Sequence, residues 1–246
     1  DEDAGRGYGM RMGGQVTRPI VRWHGGKWRL APWIIKHLPQ HRIYVEPFCG
    51  GASVLMRKDR SRTEVLNDAY GRIVNAFRMI RDRTDELTRM LRYTPCAEAE
   101  YRYCRELSPD PLEDARRILV LGHQSHSSTG SCPGGKKSGW RRGVRPEGTD
   151  NASEWRDVWR HIEAWADRLR GVYLENGDAT AIIRRWDAPG VVFYVDPPYL
   201  AETRSVSSGR TAYGPYEMSE SEHISLFRLL KQCRGGVLLS GYRSAL

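Results

Sequence analysis

The chain has 246 residues, a formal net charge of +9, aromatic side chains at 10% and eight tryptophans. That length suits one large domain, or one domain with an insert, and is enough to bury a proper core. No apolar run reaches the roughly 20 residues of a membrane span, which excludes a helical membrane protein; the basic, aromatic-rich balance favours a polyanion such as nucleic acid as partner.

Residues 1–16 are Gly-rich and polar with no apolar core, so they read as a disordered arm or cloning scar, not a signal peptide. Arg18 to Lys27 is a short extended piece that ends in the Gly25-Gly26 turn, and Trp28 to Leu38 reads as a helix with Leu30, Trp33, Ile34 and Leu38 apolar. Arg42 to Glu46 is a candidate strand. It runs into Pro47-Phe48-Cys49-Gly50-Gly51-Ala52-Ser53, and a helix follows from Ser53 to Lys58. Strand, acidic residue, glycine turn and helix make a nucleotide-type corner. It is neither the dinucleotide fingerprint nor a P-loop, so it suits a ligand without phosphates, and Glu46 beside it would welcome a cation. A second strand, 62–68, ends in Asn67-Asp68, where a ribose diol is commonly gripped. Tyr70 to Met90 is helical by period.

Residues 97–106 and 110–122 read as helices. The stretch from Gly122 to Arg145 has no acidic residue, several basic ones and many small ones. Such a loop is free to order on a phosphate backbone, with His123, Gln124, Ser125, Lys136, Lys137, Trp140, Arg141 and Arg142 as candidate DNA contacts. Asn151 to Arg170 is a helix whose tryptophans face a core. His123, His126 and Cys132 are a partial zinc set without a fourth ligand, so no metal is expected. Five scattered cysteines without a Cys-x-x-Cys pair point to a reduced, cytoplasmic protein.

Val191 to Val195 is an unbroken apolar run, read as a buried strand, that stops at Asp196-Pro197-Pro198-Tyr199. The two prolines forbid an immediate helix, and Pro197 restricts Asp196. A carboxylate, a rigid bend and an aromatic ring are thereby held at the carboxyl end of a strand, where open α/β sheets bind ligands. A carboxylate and a proline carbonyl can accept both N–H bonds of a nucleobase amine while tyrosine stacks on the ring. Leu200 to Tyr216 reads as a loop able to close over such a base. Ser219 to Gln232 reads as a helix with a Ser219/Glu222 capping box, and 237–240 as a last strand.

The motifs Arg18-Pro-x-x-x-Trp23-x-Gly-Gly-Lys27, Val45-Glu46-Pro47-Phe48-x-Gly50, Asn67-Asp68 and Asp196-Pro197-Pro198-Tyr199 stand in the order and spacing of the Dam-like, D12 class (alpha-group) adenine-specific DNA methyltransferases. The resemblance covers most of residues 17–246 and is weakest in the middle. It implies an α/β, Rossmann-like methyltransferase sheet over residues 17–93 and 171–246, with a mainly helical inserted target-recognition region over 94–170. It implies S-adenosyl-L-methionine as cofactor, held by Trp23, Lys27, Glu46, Pro47, Phe48, Gly50, Asp68, Asp178 and Asp196. Catalysis would fall to Asp196, Pro197, Pro198 and Tyr199, acting on the N6 amine of an adenine flipped out of double-stranded DNA. The resemblance leaves room for a homodimer on DNA, for a restriction partner and for a bacterial, prophage or phage origin. Methylation of cytosine N4 or of RNA, and a non-catalytic DNA-binding protein with a relic cofactor pocket, are the alternatives.

Overall fold

The structure, a computed structural model, describes residues 15–126, 129–134, 138–143, 150–200, 203–204 and 212–242. Five parallel strands form one sheet among them: β1 (Ile43–Glu46), β2 (Thr63–Asn67), β3 (Val172–Glu175), β4 (Val191–Val195) and β5 (Gly236–Leu239), in the order β3-β2-β1-β4-β5. β1 sits in register with both neighbours, Val45 beside Val65 on one side and beside Phe193 on the other. The order reverses between β1 and β4. In a doubly wound sheet that reversal sends the following helices to opposite faces and opens a crevice at the carboxyl ends of those two strands.

The helices are α1 (Ala31–Lys36), α2 (Ser53–Arg57), α3 (Gly71–Asp82), α4 (Thr84–Tyr93), α5 (Glu98–Tyr103), α6 (Pro111–Gln124), α7 (Asn151–Arg156), α8 (Ile162–Leu169), α9 (Ala179–Trp186) and α10 (Glu220–Leu230). Alternation along the strands divides the core in two. Tyr44, Leu66, Val192 and Tyr194 face a cluster built from α2, α3, α6 and α8. Val45, Val65, Phe193 and Val195 face Ile182 and Ile183 of α9 and Leu226 and Leu230 of α10. This is the Rossmann-like α/β arrangement that the motifs imply. None of the described helices is long and apolar enough to cross a membrane.

Several elements differ from the sequence reading. The long helix from Tyr70 breaks at Arg83, whose φ of −128° and ψ of 40° leave the helical region. The Thr84 hydroxyl donates to the Ile80 carbonyl, 2.9 Å away, and takes the place of a backbone donor. The helix over 151–170 is α7, a 3₁₀ turn (Val158–His161) and α8. α1 is shorter than expected because Pro32 sits in its first turn; Leu30 and Trp33 are exposed and only Ala31 and Ile34 of the helix are buried. β3 and α9 have no counterpart in the sequence reading. The helices of 94–170 enter the same core as the sheet: Ile118, Trp155 and Trp165 pack in one cluster with Tyr44 and Phe77.

Candidate active site

The loop after β1 is shaped by close approach. Gly50 has φ +47°, and a Cβ there would lie 2.5 Å from the Trp23 indole nitrogen, so no other residue fits beneath that ring. Ala52 is also left-handed, at φ 52°, a strained state for a residue with a Cβ. Asp68, just past β2, ties this loop down: its Oδ2 accepts the Gly50 N–H at 2.8 Å and its Oδ1 the Tyr70 N–H at 2.9 Å. Asn67 extends the lacing, donating to the Pro47 carbonyl at 2.8 Å and the Gly177 carbonyl at 3.1 Å, and accepting the Gly177 N–H at 3.0 Å. One asparagine thus joins the loops after β1, β2 and β3.

Glu46 ends β1 with a buried side chain whose Oε1 accepts the Tyr44 hydroxyl at 2.6 Å and the Leu55 N–H at 2.8 Å. Burial pushes its carboxyl up to about 7 against the pull of those two bonds. Burial likewise pushes Asp68 up to about 6, although both of its backbone donors favour the charged form.

Asp196 stands where β4 stops. The Lys27 ammonium reaches both of its oxygens, at 2.9 and 2.6 Å, and also donates to the Gly25 carbonyl at 2.6 Å. Burial alone would lower the Lys27 pKa, but the Asp196 charge overrides it and the net shift is upward, so the lysine is firmly protonated. The Tyr199 hydroxyl donates to Asp196 Oδ1 at 3.0 Å and lies 2.9 Å from the Ser240 hydroxyl just past β5, with the Lys27 ammonium 5.1 Å from its ring centre. The elbow is therefore bonded to the N-terminal glycine turn on one side and to β5 on the other.

Two cavities meet at Asp196 and Lys27. The first encloses about 740 Å³ of non-atom space, its open mouth included, and is lined by Trp23, Lys27, Glu46, Phe48, Gly50, Asp68, Asp196 and Pro198 among others. The second lies beyond the ion pair and is lined by His24, Asp196, Pro197, Tyr199, Arg204, Tyr213 and Tyr242. Of the residues expected to hold a cofactor, Pro47 and Asp178 are absent from the first cavity's lining. Pro47 turns its carbonyl to Asn67. Asp178 is exposed and caps α9, accepting the Ala181 N–H at 2.9 Å. Residues that sequence reasoning did not place here are Tyr70, Pro133, Tyr194, Tyr213 and Tyr216. They come from separate parts of the chain, and no local pattern marks them.

The middle region requires a correction. α6 continues through Gln124, and His123, Gln124 and Ser125 are buried. His123 Nε2 is 2.8 Å from the Ile20 carbonyl, its ring stacks on Trp165, and burial pushes its pKa down to about 3. Gln124 donates to the Pro95 carbonyl at 3.2 Å, and Ser125 forms a backbone bridge with Trp140. These three are interior residues, not a loop facing a duplex. Trp140 donates to the Gln124 side-chain oxygen at 3.3 Å, Arg141 pairs with Glu154, and Arg142 is exposed. Lys136 and Lys137 lie outside the described residues.

Residues 23–126 match the family model of the D12 class N6 adenine-specific DNA methyltransferases. The DNA adenine methylase of Escherichia coli (strain K12) is 27% identical over 221 residues, covering 85% of this chain and 74% of the relative. That of Salmonella typhi is 28% identical over 252 residues, covering 94% and 82%, and that of Serratia marcescens 26% over 248 residues, covering 94% and 85%. The family match spans the glycine corner, and the longer alignments leave too little of the chain uncovered to miss the Asp196 elbow. Two halves of one site, distant in sequence, thus lie in regions similar to the same kind of protein, and the chain resembles the D12 class of N6 adenine-specific DNA methyltransferases.

Proposed function

We propose that the chain methylates DNA adenine by holding S-adenosylmethionine in the first cavity and a flipped adenine in the second, with Asp196 between them. The observation that carries this reading is the carboxylate's place in the lining of both cavities. The residues fit the cofactor. Trp23 over Gly50 offers an aromatic wall, Glu46 and Asp68 offer acidic groups to a sulfonium and a ribose, and the Lys27 ammonium in the lining is already paired with Asp196. When bound, the cofactor supplies an electrophilic methyl group on a positively charged sulfur.

The protein's own part is positioning. Asp196 accepts an N–H of the adenine amine and turns the nitrogen toward the donor cavity. Lys27 and Tyr199 fix the rotamer of Asp196 by bonding both of its oxygens. The aromatic rings of Tyr199, Tyr213 and Tyr242 in the second cavity give the base faces to lie against. Swinging the base out of a duplex costs a few kcal/mol, of which stacking returns about 1–3 kcal/mol. The substrate we propose is double-stranded DNA, drawn in by the chain's net charge of +9, and sedimentation on a short duplex separates one bound protomer from two.

The test is transfer of labelled methyl from S-adenosylmethionine to unmethylated duplex DNA and to RNA, followed by nucleoside analysis. N6-methyladenine from DNA is the expected product; N4-methylcytosine, or label in RNA alone, would overturn the reading. Asp196→Ala should lower transfer by about a hundredfold or more even at saturating S-adenosylmethionine. Near wild-type transfer in that variant would remove Asp196 from its role.

A further inference from the structure

Arg204 lines the second cavity although its side chain is only 6% exposed. Its guanidinium bridges three parts of the site. One nitrogen donates to the Tyr199 carbonyl at the end of the elbow. Another lies 2.8 Å from the Glu217 carboxylate. Its central carbon sits over the Tyr213 ring, 5.2 Å from the ring centre. Glu217 in turn accepts the Tyr213 N–H at 2.9 Å, and the Tyr213 hydroxyl donates to the His24 carbonyl at 3.0 Å. A buried guanidinium needs its charge partner: Nε and Nη1 make no hydrogen bond among the described residues, so Glu217 is engaged through charge at 2.8 Å while the Tyr199 carbonyl takes the hydrogen bond.

We propose that Arg204 is a positioning residue for the target base, clamping the Asp196–Tyr199 elbow to the segment 212–217 and so setting the width of the second cavity. The proposal rests on the reading of that cavity as the adenine site. The fork of an arginine is required, because the Tyr199 carbonyl and the Glu217 carboxylate must be reached together while the flat group stays over Tyr213. A lysine supplies a point charge and no plane. Arg204 does not itself line the first cavity, and only Tyr213 and Tyr216 of the clamped segment reach it, so loss of Arg204 should disturb cofactor binding far less than transfer.

The experiment compares wild type, Arg204→Ala, Arg204→Lys and Glu217→Gln by methyl transfer to unmethylated plasmid DNA, by calorimetric binding of S-adenosylmethionine and by thermal melting. In Arg204→Ala, kcat should fall about a hundredfold, with a much smaller loss of cofactor affinity. Added guanidinium chloride should restore part of the rate to this variant and none to Asp196→Ala. Arg204→Lys should fall between the alanine variant and wild type. Wild-type kcat in Arg204→Ala overturns the proposal. So does a loss of rate, cofactor affinity and melting temperature together without a guanidinium response, which marks a merely structural role. Should the alanine variant not fold, Glu217→Gln carries the test, since it removes the anchor and keeps the guanidinium; an unchanged kcat there overturns the clamp. A wild-type protein that labels no DNA overturns the functional reading itself and this proposal with it, an outcome distinct from an active wild type with an indifferent Arg204.

Discussion

Glu46 shows how far burial governs the chemistry of a single side chain here. Its carboxyl is raised from 4.5 to about 7, so the folded protein holds a proton that the unfolded chain gives up between those values. Stability therefore falls as pH rises from 4.5 to 7: the penalty is absent below the unfolded value and complete above the folded one, at about 3 kcal/mol. Asp68, raised from 3.8 to about 6, adds to the trend in the same direction. Glu46→Gln keeps an oxygen for the Tyr44 hydroxyl and the Leu55 N–H but cannot ionise. Urea titrations at pH 4.5 and 8 should show wild type losing about 3 kcal/mol relative to the variant; parallel pH profiles would mean that Glu46 is already ionised at pH 5. The same carboxylate is the reason to expect cation binding. A sulfonium in the first cavity would pull the Glu46 pKa back down, so cofactor affinity should climb between pH 5 and 7 in wild type and stay flatter in the variant.

Among the elements, α9 separates two roles for one residue. Asp178 stands where the family motif would meet the cofactor's adenine, yet its side chain accepts the Ala181 N–H and so caps the helix. Asp178→Ala should cost about 1 kcal/mol of stability by denaturant titration, and Asp178→Asn much less, because either side chain can cap. If the alanine variant instead loses cofactor affinity with stability unchanged, the residue serves the ligand rather than the helix. The same elements show what a sequence discloses. β1, β2 and β4 are readable because apolar runs stop at turn or acidic residues, and the start of α10 because Ser219 and Glu222 form the expected capping box. The elbow and the glycine corner are local, so most of the first cavity is readable too. β3 is not: it has four residues, lies at the sheet edge and leaves Tyr173 exposed, which erases the alternation. The break at Arg83 is hidden because Ile80, Leu87 and Leu91 keep the apolar period on both sides. Arg204, Tyr213 and Glu217 gain meaning only through contacts with Tyr199 and His24, which no local pattern records.

At the scale of the molecule, the question is whether residues 94–170 are a separable insert. As a module they would carry their own core and leave that of the sheet closed. The structure points the other way, because α6 and α8 cover the apolar face of α3 that the sheet leaves open, with Ile118, Trp165 and Leu169 fully buried among Tyr44, Phe77 and Ile80. The N-terminal motif is gripped from the same side: the Trp165 indole donates to the Arg18 carbonyl at 2.9 Å, and His123 lies against the Ile20 carbonyl. Those contacts hold the irregular segment that carries Trp23 and Lys27 into the first cavity. Replacing residues 94–170 by a short Gly-Ser linker would therefore strip α3 of its cover and release the cofactor wall together. Each large apolar side chain left exposed costs about 1.5–3 kcal/mol, and several are involved, against a total stability of about 5–15 kcal/mol. The shortened chain should be insoluble or lack cooperative melting, and should not bind S-adenosylmethionine, as circular dichroism and calorimetry would show. A soluble, cooperatively melting, cofactor-binding product would prove the middle region a true module, free to vary without disturbing the catalytic body. The shared core argues that residues 94–170 and the sheet are instead mechanically joined, so that a displacement of α6 or α8 is felt at the segment carrying Trp23 and Lys27.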